Sequence, residues 1–139
     1  MRFGSREWLA AVVAELNRHP DLPAALLGLG RDAALVIEAD RGWPSATALY
    51  GEHREGRIAG VRVLADEDDV LEIAPAYVLR APYGVWRELL RGGDPVRAAL
   101  SGRVRVEGDL EALVRRVSYR RVVDAALAAV LTELPDQGG

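Results

Sequence analysis

His19 and His53 are the only imidazoles in this chain, and there is no cysteine to join them. A zinc site of nitrogen and sulfur ligands needs several such donors at fixed spacing. His19 stands before Pro20 at the end of a helical pattern, and His53 lies in an alternating stretch beside charged residues. Both read as ordinary surface histidines, so no metal is expected. The run Asp66-Glu67-Asp68-Asp69 could attract calcium, but it lacks the alternating ligands and the glycine of an EF-hand loop. It reads as a solvated turn. Ser45, Ser101 and Ser118 sit in no nucleophile elbow. Gly28-Leu29-Gly30 precedes a strand-like run instead of following one, which is the wrong context for a dinucleotide loop. Glu38 and Glu72 fall within predicted strands, where either could be an inward proton acceptor. A buried carboxylate without a partner is costly, so the outward face is the cheaper placement. Arg115, Arg116, Arg120 and Arg121 flank Val117-Ser118-Tyr119 and could meet an anion or a lipid head group. A solvated helix end is the simpler reading. No catalytic constellation emerges, and the chain reads as non-enzymatic, with no cofactor.

The elements that would position these residues follow from periodicity. Ser5 can cap a first helix whose apolar stripe is Trp8, Leu9, Val12, Val13 and Leu16, ended by His19-Pro20. A short helical piece follows through Ala24, Leu26 and Leu27, broken by Gly28 and Gly30. Residues 32–39 read as a strand with Ala33, Leu35 and Ile37 on one face. Residues 46–54 and 57–65 read as a hairpin closed by Glu55-Gly56. A short fourth strand is expected at 70–74, then helix from Pro75 through Tyr83, Trp86, Leu89 and Leu90 to Gly92-Gly93. Asp94-Pro95 opens the next helix and Gly102 stops it. A last strand at 103–107 turns Val104 and Val106 inward and Arg103, Arg105 and Glu107 outward. Asp109 caps a helix carrying Leu110, Leu113, Val114 and Val117, and a final helix runs through Val122, Ala126, Leu127 and Leu131. Grouped strands predict an α+β domain with a mainly antiparallel five-stranded sheet, one face wet and the helices on the other.

Size and composition fit a single domain over 1–139, with an ordered core at 5–134 and a flexible tail at 135–139. Half of the residues are hydrophobic, and the formal charge of −3 argues against nucleic acid. All 18 basic residues are arginine, the bias of a GC-rich bacterial coding sequence. No apolar run is long enough for a membrane span, and charged residues interrupt the N-terminal stretch where a signal peptide would need an apolar core. A cytoplasmic location is expected.

The segment Gly92 to Arg115, "GGDPVRAALSGRVRVEGDLEALVR", resembles the signature of the sterol carrier protein 2 family. The matching positions are Gly93, Asp94, Pro95, Ser101, Gly102, Arg103, Val104, Arg105, Val106, Gly108 and Asp109, with arginine where the family usually has lysine at 103 and 105. The resemblance implies helices covering one face of the sheet, an apolar tunnel between the two, and binding of fatty acyl chains, sterols or other hydrophobic molecules without catalysis. On that basis the expected walls are Leu71, Ile73, Tyr83, Trp86, Leu90, Val104, Val106, Leu113 and Val117, with the final helix as a lid. The rival reading fills the same fold solidly and uses the last helix to bind another protein or form a homodimer. An enzyme is the third reading, with least support.

Overall fold

The computed structural model describes residues 1–27, 29–115 and 118–135, with backbone alone for 113–115, 118 and 119. Helices α1 (Arg6–Arg18) and α2 (Leu22–Leu26) precede strands β1 (Asp32–Glu38), β2 (Thr47–Arg54) and β3 (Arg57–Leu64). Then come α3 (Glu67–Ile73), β4 (Tyr77–Pro82), α4 (Tyr83–Leu90), α5 (Pro95–Leu100), β5 (Arg105–Glu107), α6 (Leu110–Arg115) and α7 (Ser118–Ala129). The sheet order is β3-β2-β1-β4-β5. Every neighbouring pair is antiparallel except β1 and β4, which run parallel.

Capping set most of the helix starts. Ser5 accepts from the Trp8 N–H at 3.1 Å, Asp94 from Val96 at 3.0 Å and Asp109 from Ala112 at 3.1 Å. Each carboxylate or hydroxyl satisfies an amide that the first turn leaves unpaired. The Glu55-Gly56 turn has positive φ at both residues, 52° and 76°, as a tight two-residue hairpin requires.

The same capping physics overturns the expected fourth strand. Asp66 accepts from the Asp68 N–H at 2.9 Å, and Glu67, Asp68 and Asp69 fill the first turn of α3. Negative side chains at a helix start complement its dipole, so the acidic run initiates a helix instead of a turn. Residues 70–74, Glu72 among them, are therefore not a strand, and the fourth strand is Tyr77–Pro82, inside the segment expected to be helical. The last strand is also shorter than expected, three residues beginning at Arg105.

The second sheet face, expected to be wet, carries its own apolar cluster. Ala34, Val36, Ala48, Tyr50, Leu64 and Val78 are buried there beneath Val70 and Ile73 of α3. Arg80 ties this side together, meeting Glu67 of α3 at 2.6 Å and Glu107 of β5 at 3.0 Å. The larger helical layer covers the other, front face: α1, α4 and α7 pack with Ile37 and Leu49 around Phe3, Trp8 and Tyr83. Asn17 pins α1 to the edge strand through two 2.9 Å bonds to the Ile58 backbone, which closes part of that edge. Arg103 and Arg105 stay at the surface, paired with Glu88 and Glu38. No helix among the described residues is long and apolar enough to cross a membrane.

Candidate binding cavity

The front face and its helices do not close on each other. A cavity of about 410 Å³ lies between them. Its floor is Ala33, Leu35 and Ile37 of β1, Leu49 and Gly51 of β2, and Leu79 of β4. Val12 and Leu16 of α1 and Val122 and Leu127 of α7 stand over it. Trp86 and Leu90 of α4, with Val104 and Val106, form the wall toward β5.

Two features of the strands and one of α4 shape the void. Ala33 and Gly51 are directly paired across β1 and β2, so the two smallest side chains on the floor sit side by side. The register between β2 and β3 shifts between Tyr50 and Glu52, and Gly60 takes φ +57° in the extra position on β3. Such a bulge increases the local twist; here it leaves Val61 and Ile58 both lining the cavity despite their odd spacing. Finally, Trp86 of α4 is pinned against the sheet at one end of the floor. Its indole N–H donates to the carbonyls of Val36 and Ala81, both at 3.0 Å, which fixes the ring as a rigid wall.

The helix bearing Trp86 is itself capped from a distance. Asp40, in the loop between β1 and β2, accepts from the Gly84 N–H at 2.9 Å and from Arg41 at 2.8 Å. These amide bonds, Gly84 first, hold the Asp40 carboxyl below the usual carboxylate range, against a small opposing effect of desolvation. Nothing in the local sequence of α4 signals this cap, because Pro82 at its N-cap position makes no side-chain bond.

Of the expected wall residues, Trp86, Leu90, Val104 and Val106 line the cavity. Leu71 and Ile73 do not: both belong to α3 on the opposite face, where Ile73 packs on Val70's cluster and Leu71 is 68% exposed. Their displacement follows from the helix that replaced the expected strand. Tyr83 is fully buried and stacked on Trp43 at 5.1 Å, behind Phe3 and Ile37, and is not itself part of the lining. The Leu113 side chain and Val117 lie outside the described residues. Sequence reading missed Ala33 and Gly51 as floor, and His53 and Tyr77 as polar members of the lining. The pairing of a small residue on β1 with a glycine on β2 was the available signal.

Two of the groups weighed for chemistry, His19 and Glu38, are held by structural bonds. His19 ends α1, and its Nδ1 accepts from the Asp21 N–H at 3.1 Å. Glu38 pairs with Arg105, and Glu72 is exposed on α3. Asp32 is the buried carboxylate of β1, but it faces the α3 side, accepting from Tyr50 Oη at 2.8 Å and from the Ala76 N–H at 2.7 Å. Burial, then the bond to Asp32, pushes the Tyr50 phenol up to about 12.

No protein-family model and no curated protein matches this chain. Solved structures do match. A crystal structure of sterol carrier protein 2 superposes with a TM-score of 0.73 at 20% identity, covering 90% of this chain and 97% of that one. A conserved hypothetical protein from Thermus thermophilus, solved in solution, gives 0.69 at 20% identity over 91% and 85%. The ubiquinone synthesis protein UbiJ-SCP2 gives 0.51 at 20% identity over 84% and 85%. At such identities the likeness is one of fold, and this chain has the sterol carrier protein 2 fold.

Proposed function

We propose that this chain binds a hydrophobic small molecule in the cavity under its helical layer and carries it without catalysing a reaction on it. A fatty acyl chain, a sterol-like molecule or another lipid is the expected class. The observation that supports this most is the cavity itself, about 410 Å³ with a nearly continuous apolar lining. That volume falls within the roughly 300–1,000 Å³ of small-molecule sites, whereas a close-packed interior holds few voids larger than water. Withdrawing a ligand's apolar surface from water would supply about 25 cal/mol per Å² before ordering costs. The sterol carrier name of the matched structure agrees with this class.

The cavity also weighs against a solidly filled interaction module. The apolar stripe of the last helix, the other basis of that reading, is directed into its own chain: Val122 and Ala126 of α7 are buried beside α1 and α2 residues. Val123 of α7 lines the cavity, and the exposed Leu131 lies past the helix end. Native mass spectrometry of freshly purified protein tests the proposal. A mass excess that disappears on solvent extraction is expected. Bare protein that also fails to take up a fluorescent fatty acid overturns it.

A further inference from the structure

Exposure locates the mouth of the cavity. Among its described lining residues, Val123, 36% exposed, and Asp124, with a side chain 67% exposed, alone reach well into solvent, and both stand on α7. The other side of that helix is sealed. Val122 is 1% exposed against Leu22 and Ala25 of α2, and Ala126 is buried in the cluster that holds Trp8 and Val12 of α1. Toward α5 there is no such seal. Ala98, the buried residue of α5, packs with Ala81 and Val104 instead, while Pro95, Val96 and Ala99 line the cavity. The opening is therefore the gap between α5 and α7.

One side chain spans that gap. Arg120 Nη1 lies 3.8 Å from Asp94 Oδ1, and Asp94 stands between two lining residues, Gly93 and Pro95. Arg120 Nε also lies 3.7 Å from Asp124 Oδ2, one turn along its own helix. The two carboxylates are held differently. Asp94 is fixed, because the same oxygen accepts from the amides of Val96 and Arg97 at 3.0 and 3.3 Å. Asp124 belongs to α7 and moves with Arg120. An arginine that releases Asp94 thus keeps a partner for its charge. All three side chains are exposed, so the contact is weak and screened by salt. Such a contact can break and re-form readily.

Resting on the cavity reading above, we propose that Arg120 is a strap across the mouth. Paired with Asp94 it closes the gap between α5 and α7; released onto Asp124 it lets a ligand pass. The strap sets how fast a ligand enters and leaves, and not how tightly it is held, because the apolar walls are the same in both states. Arg121 offers an internal comparison. It lies 3.9 Å from Asp21 at the start of α2, on the side that Val122 already seals.

Stopped-flow mixing with Nile red, a neutral probe that neither arginine attracts by charge, tests this on the intact chain, Arg120→Gln and Arg121→Gln. The signal amplitude reports occupancy of the cavity, and the rates report its mouth. Arg120→Gln is expected to raise the association and dissociation rates together, about two- to fivefold, the scale of an exposed ion pair, with Kd unchanged. High salt should do the same to the intact chain, which needs no variant, and add nothing to Arg120→Gln. Arg121→Gln should leave both rates as they are. Rates unmoved by Arg120→Gln, or raised as much by Arg121→Gln, overturn the strap, while a retained amplitude keeps the cavity reading standing. If the intact chain gives no Nile red signal, the cavity reading falls and the strap with it.

Discussion

The two faces of this sheet are built from one set of strands and end in opposite states of packing. On the α3 side, Ala34 and Val36 have no exposure at all, and Val70 is 1% exposed above them. On the front side, Ala33 and Leu35 keep accessible surface although a thicker layer of helices lies over them. The alternation of β1 puts these residues one step apart, so hydrophobicity does not separate the faces. Side-chain volume and the standoff of the covering helices do. A short helix laid directly on alanine and valine closes the gap, while on the other face the centre of the floor is Ala33 and Gly51, and Trp86, anchored to the sheet by its indole N–H, walls one end. Filling one face solidly gives the sheet a rigid back against which a hollow can persist on the other.

Breaking the solid face should cost stability and leave its counterpart's chemistry alone. The largest effect is expected from Asp32→Ala, which orphans the buried Tyr50 hydroxyl and the Ala76 N–H together. A loss of about 3 kcal/mol follows, given about 1–3 kcal/mol per orphaned buried donor, and urea denaturation measures it. Ala34→Leu comes next. It forces a larger side chain into a site with no free surface, and overpacking of this kind costs about 2 kcal/mol. Alkaline pH probes the same face more gently. Folded Tyr50 holds its proton to about 12, against 10.0 for the ordinary phenol. Between those values the folded state carries the extra proton, so stability is intact below about pH 10 and is lost as pH rises toward 12, by on the order of 1–2 kcal/mol. Tyr50→Phe should flatten that part of the pH–stability curve; a slope unchanged in the variant would assign it to other groups.

How much of this was legible in the sequence also divides by face. The front face was readable in outline, because Ala33, Leu35 and Ile37 alternate cleanly and the Gly92–Arg115 segment carries a specific pattern. Gly108 shows why that pattern is strict: at φ +128°, with Tyr77 Cδ1 and the Ala76 oxygen both within 2.8 Å of a would-be Cβ, no other residue fits. The back face was misread from one local error. Asp66 to Asp69 carry the charge of a solvated turn and of a helix start alike, and the start prevailed because Asp66 can reach the Asp68 amide. With α3 in place of a strand, Leu71 and Ile73 moved off the cavity wall and the parallel β1–β4 pair became possible. The cap that Asp40 gives α4 was out of reach of any local pattern, since donor and acceptor are joined only by the fold.

The sharpest test sets neighbours against each other, with the smallest expected change in stability. Ala33→Leu adds the same atoms as Ala34→Leu, one residue away on the same strand, but places them over Gly51 in the hollow. The added methyl groups have space to enter and apolar walls to touch, so stability should stay within about 0.5 kcal/mol of the parent or rise, as cavity-filling substitutions do. Affinity for a fluorescent fatty acid should fall at least tenfold, because the new side chain occupies the ligand's volume. Matched urea melts and titrations of the two variants give four numbers, and only a hollow front face with a packed back face produces stability loss in one and binding loss in the other. Were Ala33→Leu as destabilising as Ala34→Leu, the front face would be filled in solution, and the asymmetry on which the proposed carriage rests would be gone.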